Sequence, residues 1–229
     1  MFTRIYLWGR SLRIRHTRRR RGDREYDLLP MLVKPGMVAI DVGANRGVYT
    51  IPLAARASRV IAYEPSPWIA DYLARGMPAN VEVRQAAVSD APGEVTLRVP
   101  VRADGSLAHN QGSIERYDDA GTRAAQVKCV RLDDEGIGPC GFIKIDAEDH
   151  EIPVVRGARE IILRDRPNML IEVLGFADNP RWAPLHAELK ALGYEAYVLH
   201  NGALELATKA AVAKSGNVGL NLVCLPVSS

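Results

Sequence analysis

Apolar positions in this chain cluster into short unbroken runs, with stretches of helical spacing between them. Runs at 37–42, 59–63, 81–85, 141–145 and 168–173 have the length and β-branched character of buried strands. Helical spacing occupies 48–57, 67–75, 151–165 and 182–192, and Ser66 stands where it would cap the second of these helices. The alternation pauses after the third strand. Residues 94–99 alternate like a half-exposed strand, 100–125 read as a long polar loop, and 127–132 form another strand. Strands at 194–199 and 217–225 complete the series. Alternating β and α units predict an α/β fold: a mostly parallel sheet with helices on both faces. In such sheets ligands bind at the carboxyl ends of the strands, where the strand order reverses.

At 229 residues, with 47% apolar and 25% charged positions, the chain suits one globular domain. Its organisation reads as a helical N-terminal extension over 1–29 and a domain over 30–229, after which Lys34-Pro35-Gly36 marks a turn. No apolar run reaches membrane-spanning length. Arg4, Arg10, Arg13 and Arg15 interrupt the place where a signal peptide would be apolar. Cys129, Cys140 and Cys224 are dispersed, which fits buried thiols in a reducing cytoplasm rather than a disulfide framework or zinc site.

The net charge of +3 is unevenly spread. Residues 1–24 hold nine arginines against Asp23, a balance of +8, so the remainder carries −5. With Phe2, Tyr6, Leu7 and Trp8 beside them, these arginines suit a segment lying on an anionic membrane surface, at the inner face of the membrane for a cytoplasmic protein. The plain alternative is a solvated helix packed across the domain. Nucleic acid is a weak expectation, because the domain itself is acidic and carries no recognition motif.

The chemistry gathers at strand ends. Asp41-Val42-Gly43-Ala44-Asn45-Arg46-Gly47 closes the first strand and opens the first helix, and Glu64-Pro65 closes the second. Glycines there let backbone approach a ligand, and a carboxylate at Glu64 can accept hydrogen bonds from the ribose hydroxyls of a nucleoside. The glycine spacing is not that of a pyrophosphate-binding turn, and Asp41 would repel a pyrophosphate. A cationic nucleoside fits better: S-adenosylmethionine (SAM), which carries an ammonium and a sulfonium.

These blocks, with Ala87-Val88-Ser89-Asp90, Ile143-Lys144-Ile145-Asp146-Ala147-Glu148 and Arg156-Gly157-Ala158, resemble the FkbM-type methyltransferase family from about Val38 to Glu172, with a weaker echo at 217–226. The resemblance implies a Rossmann-like SAM methyltransferase fold: a seven-stranded sheet whose last strand is antiparallel. It implies methyl transfer, usually to oxygen, on a sugar, glycan, glycolipid precursor or natural product. Carried over residue by residue, Asp41, Gly43, Ala44, Asn45 and Gly47 would surround the methionine part of SAM. Glu64 and Pro65 would hold the ribose, and Ala87, Val88 and Ser89 would border the adenine. Lys144, Asp146 and Glu148 would face the transferred methyl. Where the family usually has glycine after the last acid of that block, this chain has Asp149.

An acceptor hydroxyl needs a base to take its proton. Asp146, Glu148, His150 and His109 are the candidates, with Lys144 as a paired or substrate-orienting cation. Asp146, Glu148 and Glu172, with Asp149, would make an oxygen-rich set for a divalent cation; the plain alternative is that these acids pair with lysine and arginine. The loop 100–125 is expected to close over a small-molecule or glycan acceptor. Two other readings stand beside O-methylation: methylation of an amine or other natural product, and a nucleoside-binding module without turnover.

Overall fold

The computed structural model describes residues 24–174, 180–211 and 219–227. Most of the arginine-rich segment, including the membrane-facing helix expected there, lies outside the described residues. A 3₁₀ turn at Arg24–Leu28 runs into a short helix, α1 (Leu29–Leu32). Then follow β1 (Val38–Val42), α2 (Thr50–Ala54), β2 (Arg59–Tyr63), α3 (Pro67–Ala74), β3 (Val81–Arg84), β4 (Ala87–Val88), β5 (Gly93–Pro100) and β6 (Thr122–Val130). The second half comprises β7 (Cys140–Ile145), α4 (Glu151–Gly157), α5 (Arg159–Asp165), β8 (Asn168–Leu174), α6 (Trp182–Ala191), β9 (Tyr194–His200), β10 (Ala203–Leu206) and β11 (Gly219–Pro226). Among the described residues no helix is long and apolar enough to cross a membrane.

The main sheet has eight strands in the order β10-β9-β11-β8-β7-β1-β2-β3. Strands β3, β2, β1, β7 and β8 are parallel, and β11 runs antiparallel to both its neighbours, β8 and β9. The expected mostly parallel sheet with an antiparallel last strand is therefore present. An eighth strand, β10, is added at the edge through a hairpin with β9. Its turn is Asn201-Gly202, at φ 50° and 83°, the left-handed pair that a two-residue hairpin favours.

Both faces of the sheet are covered. On one, Val154, Val155, Ile161 and Ile162 of α4 and α5, with Leu185 and Leu189 of α6, pack on Ile40, Ile143 and Ile171. On the other, Tyr26, Leu29 and Leu32 join Tyr49 and Leu53 over Ala39, Phe142 and Leu170. Residues at 24–29 thus contribute buried side chains to the second face. The pause in the alternation is a separate three-stranded sheet, β4-β6-β5, with its own small core of Ala87, Leu97, Val99, Val127 and Cys129.

Two helices differ from the pattern-based reading. The first is shorter, because the chain turns through 43–49 before α2 begins at Thr50. The stretch 151–165 is two helices that meet at Ala158. Gly157 lies so close to the segment after β4 that a Cβ there would sit 2.0 Å from the Ser89 carbonyl oxygen. The Asp133 carboxylate then accepts the backbone N–H groups of Glu160 and Ile161, both at 3.0 Å, capping α5 from outside its own sequence. All three cysteines are buried and unpaired.

Candidate active site

Strand order reverses between β1 and β7, and a cleft opens at their carboxyl ends. It encloses about 690 Å³ including its mouth. Its walls include Gly43, Asn45, Glu64, Pro65 and Ser66 on one side, Ala87, Val88 and Leu97 of the small sheet on another, and Asp146, Glu148 and His150 after β7. His109, Gly112, Ser113 and Ile114 of the loop between β5 and β6 complete it.

Glu64 anchors the cofactor end. Its two carboxylate oxygens accept the backbone N–H groups of Asn45 (2.7 Å) and Ser66 (2.8 Å). Burial pushes its pKa up to about 7 against the lowering effect of those two hydrogen bonds, with Asp41 adding to the rise. A carboxylate with two donors in place keeps lone pairs for two more. Gly43, at φ 75°, lies against the Asp146 backbone, where a Cβ would stand 1.9 Å from the carbonyl oxygen. Only glycine lets the β1 and β7 ends come so close. The Ser66 hydroxyl, expected as a helix cap, makes no capping bond and is a buried oxygen without a hydrogen-bond partner at the cleft wall.

Glu148 and Asp149 turn the chain after β7 through two consecutive left-handed conformations, φ 51° and 81°. The second is the place where glycine was expected, and aspartate holds it with side-chain partners. Arg116 bridges both acids, at 2.9 Å from Glu148 Oε2 and 3.0 Å from Asp149 Oδ2, and Arg181 lies 3.1 Å from Asp149 Oδ1. Burial raises the Glu148 pKa to about 7; Arg116 opposes the rise and Glu172 and Glu151 add to it. Its contact with Arg116 is ionic, at an angle that makes no hydrogen bond to Oε2.

His150 is buried, with both ring nitrogens engaged: Nδ1 lies 2.7 Å from Glu115 Oε1 and Nε2 2.8 Å from Ser89 Oγ. His109 lines the opposite wall, and its Nδ1 is buried without a hydrogen-bond partner. The Ser113 hydroxyl donates to the Glu148 carbonyl at 2.8 Å and accepts the N–H groups of Glu115 and Arg116. Ser113, Glu115 and Arg116 therefore fasten the loop onto 148–150. None of the three was singled out from sequence; the only sign available was a polar cluster in a long loop.

Several expected site residues lie elsewhere. Asp41 is buried beneath the glycine turn, where Thr50 Oγ1 donates to it at 2.6 Å, and it is not among the residues lining the cleft. Ala44 packs with Ala62 and Leu73, and Gly47 turns the chain behind the cleft wall. Lys144 is fully buried on the opposite face, 5.1 Å from the centre of the Tyr49 ring and 3.7 Å from Glu172. The metal set is not assembled either: among the described residues no group of three His, Cys, Asp or Glu side chains is placed to hold an ion. Glu148 faces Arg116 and Glu172 faces Lys144 instead.

The chain belongs to the FkbM methyltransferase domain family, whose model matches residues 41–196. It is 42% identical over 52 residues, 23% of the chain and 22% of its match, to a protein of Pyrobaculum islandicum named "Probable ribosomal RNA small subunit methyltransferase A". The chain spans 22% and 11% of the length of the curated relatives it matches. Among solved structures, the FkbM methyltransferase of Methylobacillus flagellatus aligns with TM-score 0.50 and 15% identity over 88% of this chain and 50% of that one. A protein of Streptococcus mutans in complex with S-adenosylhomocysteine (SAH) aligns with TM-score 0.50 and 12% identity over 89% and 96%. The chain is thus a methyltransferase-family protein with the Rossmann-like methyltransferase fold.

Proposed function

We propose that the cleft binds SAM and that the protein methylates a hydroxyl of a sugar, glycan or glycolipid precursor. The observation that carries the cofactor half is Glu64, a carboxylate at the end of β2 with both oxygens already oriented by backbone donors. Ser66 adds a buried hydroxyl in need of a partner at the same wall. Glu64, Asp146 and Glu148 give the cleft an acidic floor suited to a ligand with an ammonium and a sulfonium. The likeness to a structure solved with SAH is consistent with this reading.

SAM supplies an activated methyl on a good leaving group. The protein's part is to orient the acceptor, exclude water and take one proton. Glu148 is the base we assign: it lines the cleft, and a carboxyl raised to about 7 is matched to proton transfer near neutrality. With SAM bound to supply the methyl group, Glu148 would take the proton of the acceptor O–H. His150 serves as a positioning residue, since Glu115 and Ser89 occupy both its nitrogens.

Calorimetric titration of SAM and SAH tests the proposal. Micromolar binding to the wild type, weakened at least about 100-fold in Glu64→Ala, is expected. Folded wild-type protein that binds neither ligand would refute it. An RNA acceptor is the rival suggested by the Pyrobaculum likeness, and affinity for RNA that collapses between low and physiological salt would favour that rival.

A further inference from the structure

Three residues that line the cleft carry a buried polar atom with no hydrogen-bond partner in the protein: Ser66 Oγ, His109 Nδ1 and Glu148 Oε2. The base role assigned to Glu148 accounts for the third. Ser66 and His109 have no such role, and a buried polar atom left unbonded destabilises a fold until a ligand supplies the missing bond.

Both lie at the Glu64 end of the cleft. Ser66 is 3% exposed, and its N–H is donated to the Glu64 carboxylate, while its hydroxyl makes no cap to α3. The His109 ring lies 6.3 Å from the ring of Trp68, in the first turn of α3, and is tilted by 46° to it. Trp68 packs in turn on the small core that contains Ala87 and Leu97, and these two residues with Val88 form an apolar wall of the cleft. A Cβ on Gly112 would stand 3.2 Å from Val99 Cγ2 of β5, so 109–112 follows the small sheet. The loop therefore reaches both ends of the cleft, with 109–112 at the Glu64 end and 113–116 fastened to 148–150. Burial, then the charges of Arg46 and Arg102, keep the His109 pKa below the ordinary histidine value. A neutral imidazole presents one nitrogen as a hydrogen-bond acceptor. A carboxylate, a hydroxyl and an imidazole beside one apolar wall complement a ribose with free hydroxyls and a flat base with an amino group.

We propose that Ser66 and His109 read the nucleoside of the cofactor. The Ser66 hydroxyl bonds a ribose hydroxyl beside Glu64, and His109 Nδ1 accepts a hydrogen of the adenine 6-amino group, with Ala87, Val88 and Leu97 against the base. Segment 109–112, expected over the acceptor, thus covers the cofactor. Both roles rest on SAM as the ligand of the cleft, the preceding reading, and name what recognises its base and sugar.

Calorimetry of the full chain with SAH and with S-inosylhomocysteine, in which an oxygen replaces the 6-amino group, tests the assignment. The wild type should bind SAH about tenfold or more tightly than the inosine analogue, because the exchange sets an acceptor against an acceptor. In His109→Phe, which keeps a ring beside Trp68, the ratio should fall below about threefold, and His109→Asn, whose Oδ1 can stand in for Nδ1, should restore part of it. Ser66→Ala should weaken both ligands about fivefold or more and leave their ratio unchanged. Neither Ser66→Ala nor His109→Asn should lower the melting temperature of the unliganded protein, since the atoms removed make no bond there; a purely structural role would lower it. Equal binding of the two ligands by the wild type, a ratio that survives His109→Phe, or unchanged affinities in Ser66→Ala overturns this proposal and leaves the SAM reading standing. Folded wild-type protein that binds neither ligand overturns both.

Discussion

Glu64 and Glu148 are two carboxyls raised to about 7 by burial at one cleft, and they differ in what surrounds them. Glu64 is held by backbone N–H groups, Glu148 by the charge of a side chain, Arg116. As the base, Glu148 must be ionised, so turnover should rise with pH through about 7. Glu148→Gln should lower kcat about 100-fold or more while SAM affinity stays within about threefold. Arg116→Gln removes the cation that favours the carboxylate, so the acid limb of the pH–rate profile should move up by about one unit; a limb that stays in place would assign the proton to another group. Gly43→Ala should abolish SAM binding, because its Cβ must displace the Asp146 backbone. Gly43 and Glu64 were legible in the sequence because strand ends and glycine turns have a fixed sense. Asp41 and Lys144 were not. Every residue of β1 and β7 is buried, so no alternation of polar and apolar positions revealed which face each side chain takes.

Elements meet around the site through contacts that hydrophobic spacing cannot encode. The break between α4 and α5 depends on a cap from Asp133, and Asp133→Ala should cost about 1 kcal/mol, read from denaturant unfolding. At Asp149 the backbone and the side chain contribute separately. Asp149→Ala keeps a side chain at φ 81° without its ion pairs, whereas Asp149→Gly relaxes the backbone. Alanine should therefore be less stable than glycine by about 1 kcal/mol; equal stabilities would mean that the left-handed turn carries no strain. The loop at 100–125 was visible as a gap in the alternation, and its hold on 148–150 was not, since Ser113, Glu115 and Arg116 look like any solvated loop residues. The Asn201-Gly202 pair was a readable hairpin signal that marked β10, yet its four residues are too short and too exposed to show a strand pattern.

The molecule as a whole should respond to pH in a definite sense. Glu64, Glu148 and Glu151 all hold their protons more tightly folded than unfolded. Between the usual carboxylate range and pH 7 the folded state therefore binds more protons, and stability falls as pH rises through that window. His109 and His186, shifted down, offset part of this below their ordinary values. Without ligand, the melting temperature should be about 5 °C higher at pH 5.5 than at pH 8. A scan that rises toward pH 8 would contradict the buried-acid account. The parallel core of the sheet was predictable because β–α alternation permits few topologies. The place of β11, wedged between β8 and β9, has a temporal consequence. Until a ribosome has made residues 219–226, β8 and β9 have no partner between them, and each keeps one open strand edge. That interval exposes apolar backbone ladders to other nascent chains. Chaperone demand, and losses to aggregation during expression, should therefore concentrate in the interval between the synthesis of β9 and the docking of β11 rather than in the assembly of β1, β2 and β7.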